Sequence, residues 1–144
     1  MVKVETSIVI KRPVEEVFEF MVNAENDLQW LAGTLESEQT SEGPVGVGTT
    51  SRSASTFLGK RLESTDEITE YEPNKKVASK STSGTIPIEG SYTFESVEGG
   101  TKVVLRGQGD ISGVFKLAEP LVARAAQRQF EGNFATLKDI LEAD

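Results

Sequence analysis

The sequence predicts an α+β fold in which a curved antiparallel sheet of seven strands wraps around one long C-terminal helix. Three features predict it: an alternating segment at the start, short alternating segments between positions 34 and 110, and one long apolar stripe at helical spacing near the end. Alternation is typical of antiparallel strands with one wet face. The helix stripe must be buried, and the concave face of the sheet is the only large apolar surface available.

The first element is a strand, and two short helices follow it. Residues 2–10 carry apolar side chains or threonine at even positions and mostly polar ones at odd positions. Pro13 suits the first position of a helix. A second short helix is predicted over residues 26–31, and Gly33 would end it.

Six further strands are predicted because turn residues interrupt the next part of the chain at short intervals. The interruptions lie at residues 42–48, 58–60, 72–74, 83–84 and 98–100.

The last third of the chain is predicted to be helical. Its apolar stripe, with spacings of three and four, comprises Val122, Ala126, Phe130, Phe134, Leu137 and Leu141. Pro120 marks the first turn, and residues 114–118 form an irregular or helical lead-in. Gly132 lies inside the helix, where glycine costs about 1 kcal/mol relative to alanine. Either this cost is tolerated, or Gly132 permits close packing or a slight bend.

Composition limits the class of protein. The chain has 144 residues, which suits one domain over residues 1–144. A net charge of −8 argues against nucleic acid as a partner and disfavours an anionic membrane surface. No apolar run approaches the length of a membrane span, so no integral membrane association is predicted. Charges near the N-terminus argue against a signal peptide, so we expect a cytoplasmic protein.

Two residue types are missing altogether, and their absence restricts the chemistry. The chain contains no cysteine and no histidine. This excludes disulfides, thiolate nucleophiles and Ser-His-Asp triads, and it removes the commonest transition-metal ligands. We therefore predict no metal and no cofactor. Any catalysis would depend on carboxylates, Lys, Arg, Tyr or bound water, and no catalytic residue is assigned.

The order of elements resembles the helix-grip (SRPBCC) superfamily, which includes START lipid-transfer domains, the birch-pollen-allergen fold and bacterial polyketide cyclase/dehydrase proteins. The resemblance covers nearly the whole chain, and the single-domain bacterial branch is the most similar. The residues that carry it are Ile8, Ile10, Pro13, Val17 and Phe18, then Trp30, Gly46, Gly48, Thr49, Arg52 and Gly59, then the segment 68–73, and finally Tyr92, Phe94, Gly100, Thr101, Leu137 and Leu141. The resemblance implies a ligand cavity between the sheet and the long helix.

Nine residues are candidate ligand contacts in that cavity. They are Trp30, Arg52, Phe57, Tyr92, Phe94, Leu105, Phe115, Phe130 and Phe134. An aromatic cluster of this kind is also compatible with plain core. Tyr92 is the member with a polar handle, because a buried phenol needs a hydrogen-bond partner. Trp30 either caps one end of the cavity or seals the junction between helix and sheet.

Strand parity leaves the orientation of one part of the sheet open. One face of residues 49–57 carries Ser51, Ser53, Ser55 and Phe57, whereas the other carries Arg52. Ser79 and Ser81 share a face in a later strand. These serines either face the cavity or lie at a wet edge. Likewise, Arg52 either points inward, where it would bind a carboxylate or a carbonyl, or is solvated.

The acidic residues are assigned structural roles. The crowd of carboxylates over residues 63–72 is typical of a solvated strand face. Glu25, Asn26 and Asp27 are interpreted as cap and dipole residues at a helix start.

Three functions follow from this reasoning. The first is binding or transport of a small hydrophobic molecule, lipid-like or aromatic, in the cavity. The second is a cyclase or dehydratase type of enzyme that uses the same cavity, with Tyr92 and Arg52 as polar groups. The third is a protein-interaction module that acts through an exposed apolar patch. The sequence does not fix the oligomeric state, and a homodimer is compatible with it.

Overall fold

The computed structural model describes residues 1–115 and 117–143, and it contains one seven-stranded antiparallel sheet and a long helix. Its strands are β1 (Val2–Ile10), β2 (Thr34–Gln39), β3 (Thr50–Phe57), β4 (Lys60–Glu72), β5 (Lys76–Gly84), β6 (Ile88–Val97) and β7 (Gly100–Gly109). Its helices are α1 (Val14–Val22), α2 (Asp27–Trp30) and α3 (Glu119–Glu142), with a 3₁₀ turn (Ala24–Asn26) before α2. The predicted helix-grip fold is confirmed.

The strands follow the spatial order β1-β7-β6-β5-β4-β3-β2. Strands β2 to β7 form a meander, and β1 closes the series beside β7. Irregular register occurs between Thr34 and Glu36 in β2, and between Thr65 and Asp66 in β4. Such irregularities bend a strand and increase its twist. The sheet therefore curls around α3 and has β1 and β2 as its two edges.

Helix α3 covers the free edge of β1. The Gln127 side-chain amide donates to the Glu5 carbonyl at 2.9 Å, and Lys138 Nζ donates to the Val9 carbonyl at 2.7 Å. These bonds satisfy carbonyls that an uncovered edge strand would leave to solvent or to another chain.

The element boundaries differ slightly from those predicted. Pro13 lies at the N-cap of α1 and not at its first helical position. The second predicted helix is split into the 3₁₀ turn and α2, which ends at Trp30. Gly33 follows with φ +81°, and a Cβ there would lie 2.5 Å from the Thr56 carbonyl oxygen, so this position requires glycine. In the lead-in to α3, Ser112–Val114 form a turn, and Lys116 lies outside the described residues.

The predicted stripe of α3 faces the interior. Val122, Phe134 and Leu137 are fully buried, and Ala126, Phe130 and Leu141 pack partly buried against the core. Gly132 is exposed, with no atom within 4 Å of the position its Cβ would take, so close packing is not its role. None of the described helices has both the length and the apolarity of a membrane span.

Candidate functional site

The concave side of the sheet and the first half of α3 enclose a cavity of about 480 Å³. This volume lies within the range of small-molecule sites in proteins. Part of its wall is apolar and comes from β1, β7, the β7–α3 connection and α3. These residues include Val4, Leu105, Ile111, Phe115, Val122 and Phe130.

Glycines make room for the cavity in the sheet. Gly90 in β6 and Gly107 in β7 are opposite each other in the strand pairing, and both line the cavity. At Gly107 an added Cβ would meet only the Glu89 carbonyl oxygen, at 3.6 Å. At Gly90 an added Cβ would lie 3.1 Å from the Arg106 carbonyl oxygen, so the backbone is tighter there. The inner face of the sheet therefore lacks side chains at both positions, and Gly107 is the one with room for a larger residue.

The opposite wall, on β3, β4 and β5, is rich in hydroxyl groups. Ser51, Ser53, Ser55 and Ser79 all line the cavity. Within the described part of the chain, no residue forms a side-chain hydrogen bond with these four hydroxyl groups. They are thus free to bond to water or to a ligand.

Asp66 lies on this hydroxyl-rich wall. It lines the cavity at the β4 irregularity, and the Ser64 hydroxyl donates to its Oδ1 at 2.7 Å. Burial raises the pKa of Asp66 above its ordinary value, and the bond from Ser64 opposes part of that rise. The wall therefore contains a carboxyl group that is poorly hydrated.

Asp27, at the start of α2, contributes a second carboxyl group. The Ser37 hydroxyl donates to its Oδ2 at 2.7 Å, and Asp27 lines the cavity. Burial raises the pKa of Asp27 to about 6, and the Ser37 hydrogen bond lowers it only in part. This group changes charge close to neutral pH.

Tyr92, a residue of β6, lies near Asp27. Burial raises the pKa of the Tyr92 hydroxyl well above its usual range, and the negative charge of Asp27 adds to the rise. In the residues that the structure covers, nothing forms a hydrogen bond with this hydroxyl, and Tyr92 lines the cavity. It is therefore a neutral donor and acceptor available to a bound molecule.

Asn133 of α3 adds a side-chain amide to the lining. It is only 2 % exposed, and its Oδ1 accepts a hydrogen bond from the Ala32 amide at 2.9 Å. That bond leaves the Asn133 Nδ2 group without a partner among residues 1–115 and 117–143. Among those residues, the Trp30 indole nitrogen is the only side-chain polar atom that is sealed from solvent and has no partner. The Asn133 Nδ2 group is therefore not sealed, and it retains access to the cavity.

The nine predicted contact residues separate into three groups. Phe57, Tyr92, Leu105, Phe115 and Phe130 line the cavity. Trp30, Phe94 and Phe134 are buried in the packed core instead. Trp30 stacks with Phe134 at 6.3 Å between ring centroids and lies 6.1 Å from the Tyr92 ring, so it seals the junction behind the cavity wall.

Arg52 is the ninth residue, and the structure places it outside the cavity. It is exposed and forms ion pairs with Glu36 at 3.3 Å and with Glu38 at 3.1 Å on the outer face of the sheet. Because Ser51 and Ser53 face inward, strand alternation turns Arg52 outward. A role for Arg52 as a ligand contact in the cavity is therefore wrong.

The polar lining residues that are absent from the predicted contacts include Asp27, Asp66 and Asn133. The sequence pattern indicates a helix-start residue at Asp27 and a solvated strand face at Asp66. A signal for Asn133 exists, because it is a polar residue directly beside the apolar stripe of α3. The described residues contain no group of three or more acidic side chains placed to bind a metal ion.

Comparisons with known proteins agree with this fold. The family model for "polyketide cyclase / dehydrase and lipid transport" matches residues 1–142. TTHA0849 from Thermus thermophilus has a similar structure, with a TM-score of 0.83, 23 % identity and 96 % coverage of both chains. A START superfamily protein from Mycobacterium smegmatis gives a TM-score of 0.78 at 13 % identity, with 97 % coverage of both chains.

A third similar structure is a two-domain protein. It is the di-domain ARO/CYC BexL from the BE-7585A biosynthetic pathway, with a TM-score of 0.72 and 20 % identity over 96 % of this chain and 45 % of that one. A search of curated protein sequences gave no match. At these identities the structural similarities establish the fold.

Proposed function

Since this chain belongs to the polyketide cyclase / dehydrase and lipid transport family, we propose that it binds a small, largely apolar molecule between the sheet and α3. The observation that carries the proposal is the cavity of about 480 Å³ beside an otherwise well-packed core. A concave site of this volume, with apolar walls and a few convergent polar groups, is typical of a small-molecule binding site.

The contacts available in the cavity suit such a molecule. Leu105, Phe115 and Phe130 supply apolar surface, whose burial is worth about 25 cal/mol per Å². Phe57 and Phe115 meet edge to face at 5.6 Å between ring centroids, which connects the β7–α3 segment to the end of β3. Tyr92 and the inward serines would orient the molecule through hydrogen bonds.

The first test is to purify the protein under native conditions, denature it and identify the released molecules by mass spectrometry. We expect one apolar or amphipathic molecule at a stoichiometric level. An empty protein that also fails to bind a neutral apolar dye, N-phenyl-1-naphthylamine, would contradict the proposal.

A cavity-filling variant tests the location. In Gly107→Val the new side chain would extend from the inner face of β7, where valine is favourable in a strand and its Cβ would make only an ordinary contact. We expect dye binding to weaken by about tenfold or more, with the free energy of unfolding unchanged or higher. Lys102→Val is the matched control, because it adds the same side chain on the exposed face of the same strand. Equal binding by both variants would place the ligand elsewhere.

A second candidate function is proton transfer on the bound molecule. The specific observation is Asp27, a cavity carboxyl group with a pKa of about 6, which is suited to general acid–base catalysis near neutral pH. Its test is deuterium exchange into the molecule released from the native protein, followed by NMR. Exchange that requires the wild-type protein and is lost in Asp27→Asn would favour an enzyme over a carrier.

A further inference from the structure

The ionisable groups of the cavity have an unusual charge balance. Asp27 and Asp66 line it, and both have pKa values raised by burial. Glu67 also belongs to the lining, and Glu89 borders it from an exposed position. Among the described lining residues the one basic side chain is Lys80, which is exposed and follows the inward Ser79 on β5. The cavity therefore contains carboxyl groups without an inward-facing cation.

Each of the two aspartates has one carboxyl oxygen that can accept a hydrogen bond from a ligand. Ser37 donates to one oxygen of Asp27 and Ser64 to one oxygen of Asp66, each at 2.7 Å. The second oxygen of each carboxyl group accepts no hydrogen bond from any described residue. A partly buried carboxylate with a free oxygen can accept a hydrogen bond from a ligand in place of one from water, and a ligand without a donor would leave that oxygen unpaired.

The nearby polar groups supply hydrogen bonds but no positive charge. Asn133 Nδ2, on a side chain that is only 2 % exposed, and the Tyr92 hydroxyl are neutral and have no partner among the described residues. They can bind a hydroxyl or carbonyl oxygen. A ligand carboxylate or phosphate would lose its hydration beside two carboxyl groups and would gain no cation in return.

We infer that this cavity selects uncharged or positively charged amphiphiles, namely alcohols and amines that donate a hydrogen bond to Asp27 or Asp66, and rejects fatty acids and other anionic lipids. This inference rests on the proposed ligand-binding function and specifies the class of ligand. Charge is the selective property, since chains of equal length bury equal apolar surface.

The test compares decanol, decylamine and decanoate, which differ mainly in the head group, as competitors of N-phenyl-1-naphthylamine at about pH 8, where Asp27 is ionised. We expect decanol and decylamine to compete at least about tenfold more tightly than decanoate. In Asp27→Asn or Asp66→Asn this difference should narrow severalfold. Glu95→Gln, which removes one negative charge from an exposed position on β6, should leave it unchanged.

The outcomes separate this inference from the proposed function. If decanoate competes as well as decanol, and Gly107→Val blocks both, the ligand class is wrong and the binding function stands. If the dye and all three amphiphiles fail to bind, both proposals fail. If Gly107→Val does not weaken the binding of decylamine, the amine is attracted to the acidic exterior and not to the cavity. That result would overturn the inference for amines.

Discussion

The two halves of α3 pack against different kinds of interior. The second half, with Phe134 and Leu137, lies on a dense core that also contains Ile10, Val17 and Val103, of which only Phe134 is exposed at all, at 2 %. The first half, with Ala126 and Phe130, faces the cavity. One helix therefore packs in the core at one end and forms a cavity wall at the other, so we expect substitutions in the two halves to have different effects.

The strongest contrast is expected between truncations in the two halves. Leu137→Ala should lower the free energy of unfolding by about 3 kcal/mol, because it opens a void in a core without free space. Phe130→Ala should cost only about 1 to 2 kcal/mol, since this ring is partly exposed and already borders open volume. Urea unfolding measures both values. Equal losses would mean that the cavity end is as tightly packed as the core.

Asp27, on the cavity side of the molecule, makes stability depend on pH. Its folded-state pKa of about 6 lies above its ordinary value of 3.8, so the native state holds this proton more tightly than the unfolded chain. Ionisation of Asp27 therefore lowers stability as the pH rises from about 4 to about 6, and the loss persists above that range.

Asp27→Asn should remove the loss of stability that the ionisation of Asp27 causes. We expect the variant to be more stable than the wild type by up to about 2 kcal/mol at about pH 8, and about equal to it below about pH 4. Chemical unfolding at both pH values is the measurement, and Glu95→Gln is the control. A variant destabilised at both values would show that Asp27 is a structural residue and not a group held in place for the ligand.

A smaller effect on stability is expected at Gly132, which lies between the part of α3 that faces the cavity and the part that packs in the core. Gly132→Ala should increase stability by about 1 kcal/mol, because the helix is regular there and the added methyl group meets open space. A rise in the thermal midpoint without a change in dye binding would fit. A loss of binding would show instead that the glycine helps the helix adapt to its ligand.

The smallest effect is expected on the outer face of the sheet. Arg52→Gln removes exposed ion pairs with Glu36 and Glu38, which are worth less than about 1 kcal/mol. Ligand binding should be unchanged, as dye titration can show. A clear loss of binding would show that Arg52 does contribute to the ligand site.

Sequence patterns predict the fold far better than the site. Alternation and turn residues are sufficient for seven strands, because each carries its own local signal. The orientation of β3 is not predictable in this way, since serines occupy one face and Arg52, Ala54 and Thr56 the other, so neither is clearly apolar. Tertiary contacts, and not a local pattern, determine which face is buried.

Asp27 shows why the site is harder to predict. Its local sequence is typical of a helix start, and that description of its backbone position is correct. In the fold Asp27 accepts a hydrogen bond from Ser37 of β2, and its charge raises the pKa of Tyr92 of β6. Both partners come from distant parts of the chain. The burial that raises the pKa of Asp27 arises from the tertiary structure and has no signature in the local sequence.

The bonds from α3 to β1 also affect how the protein reaches its native state. The Gln127–Glu5 and Lys138–Val9 contacts join positions 122 and 129 residues apart. Contacts of such large sequence separation form late and slow the folding of a chain. Until α3 docks, the edge of β1 is open to pairing with another molecule, so self-association should compete most strongly with folding in variants that weaken the docking of this helix.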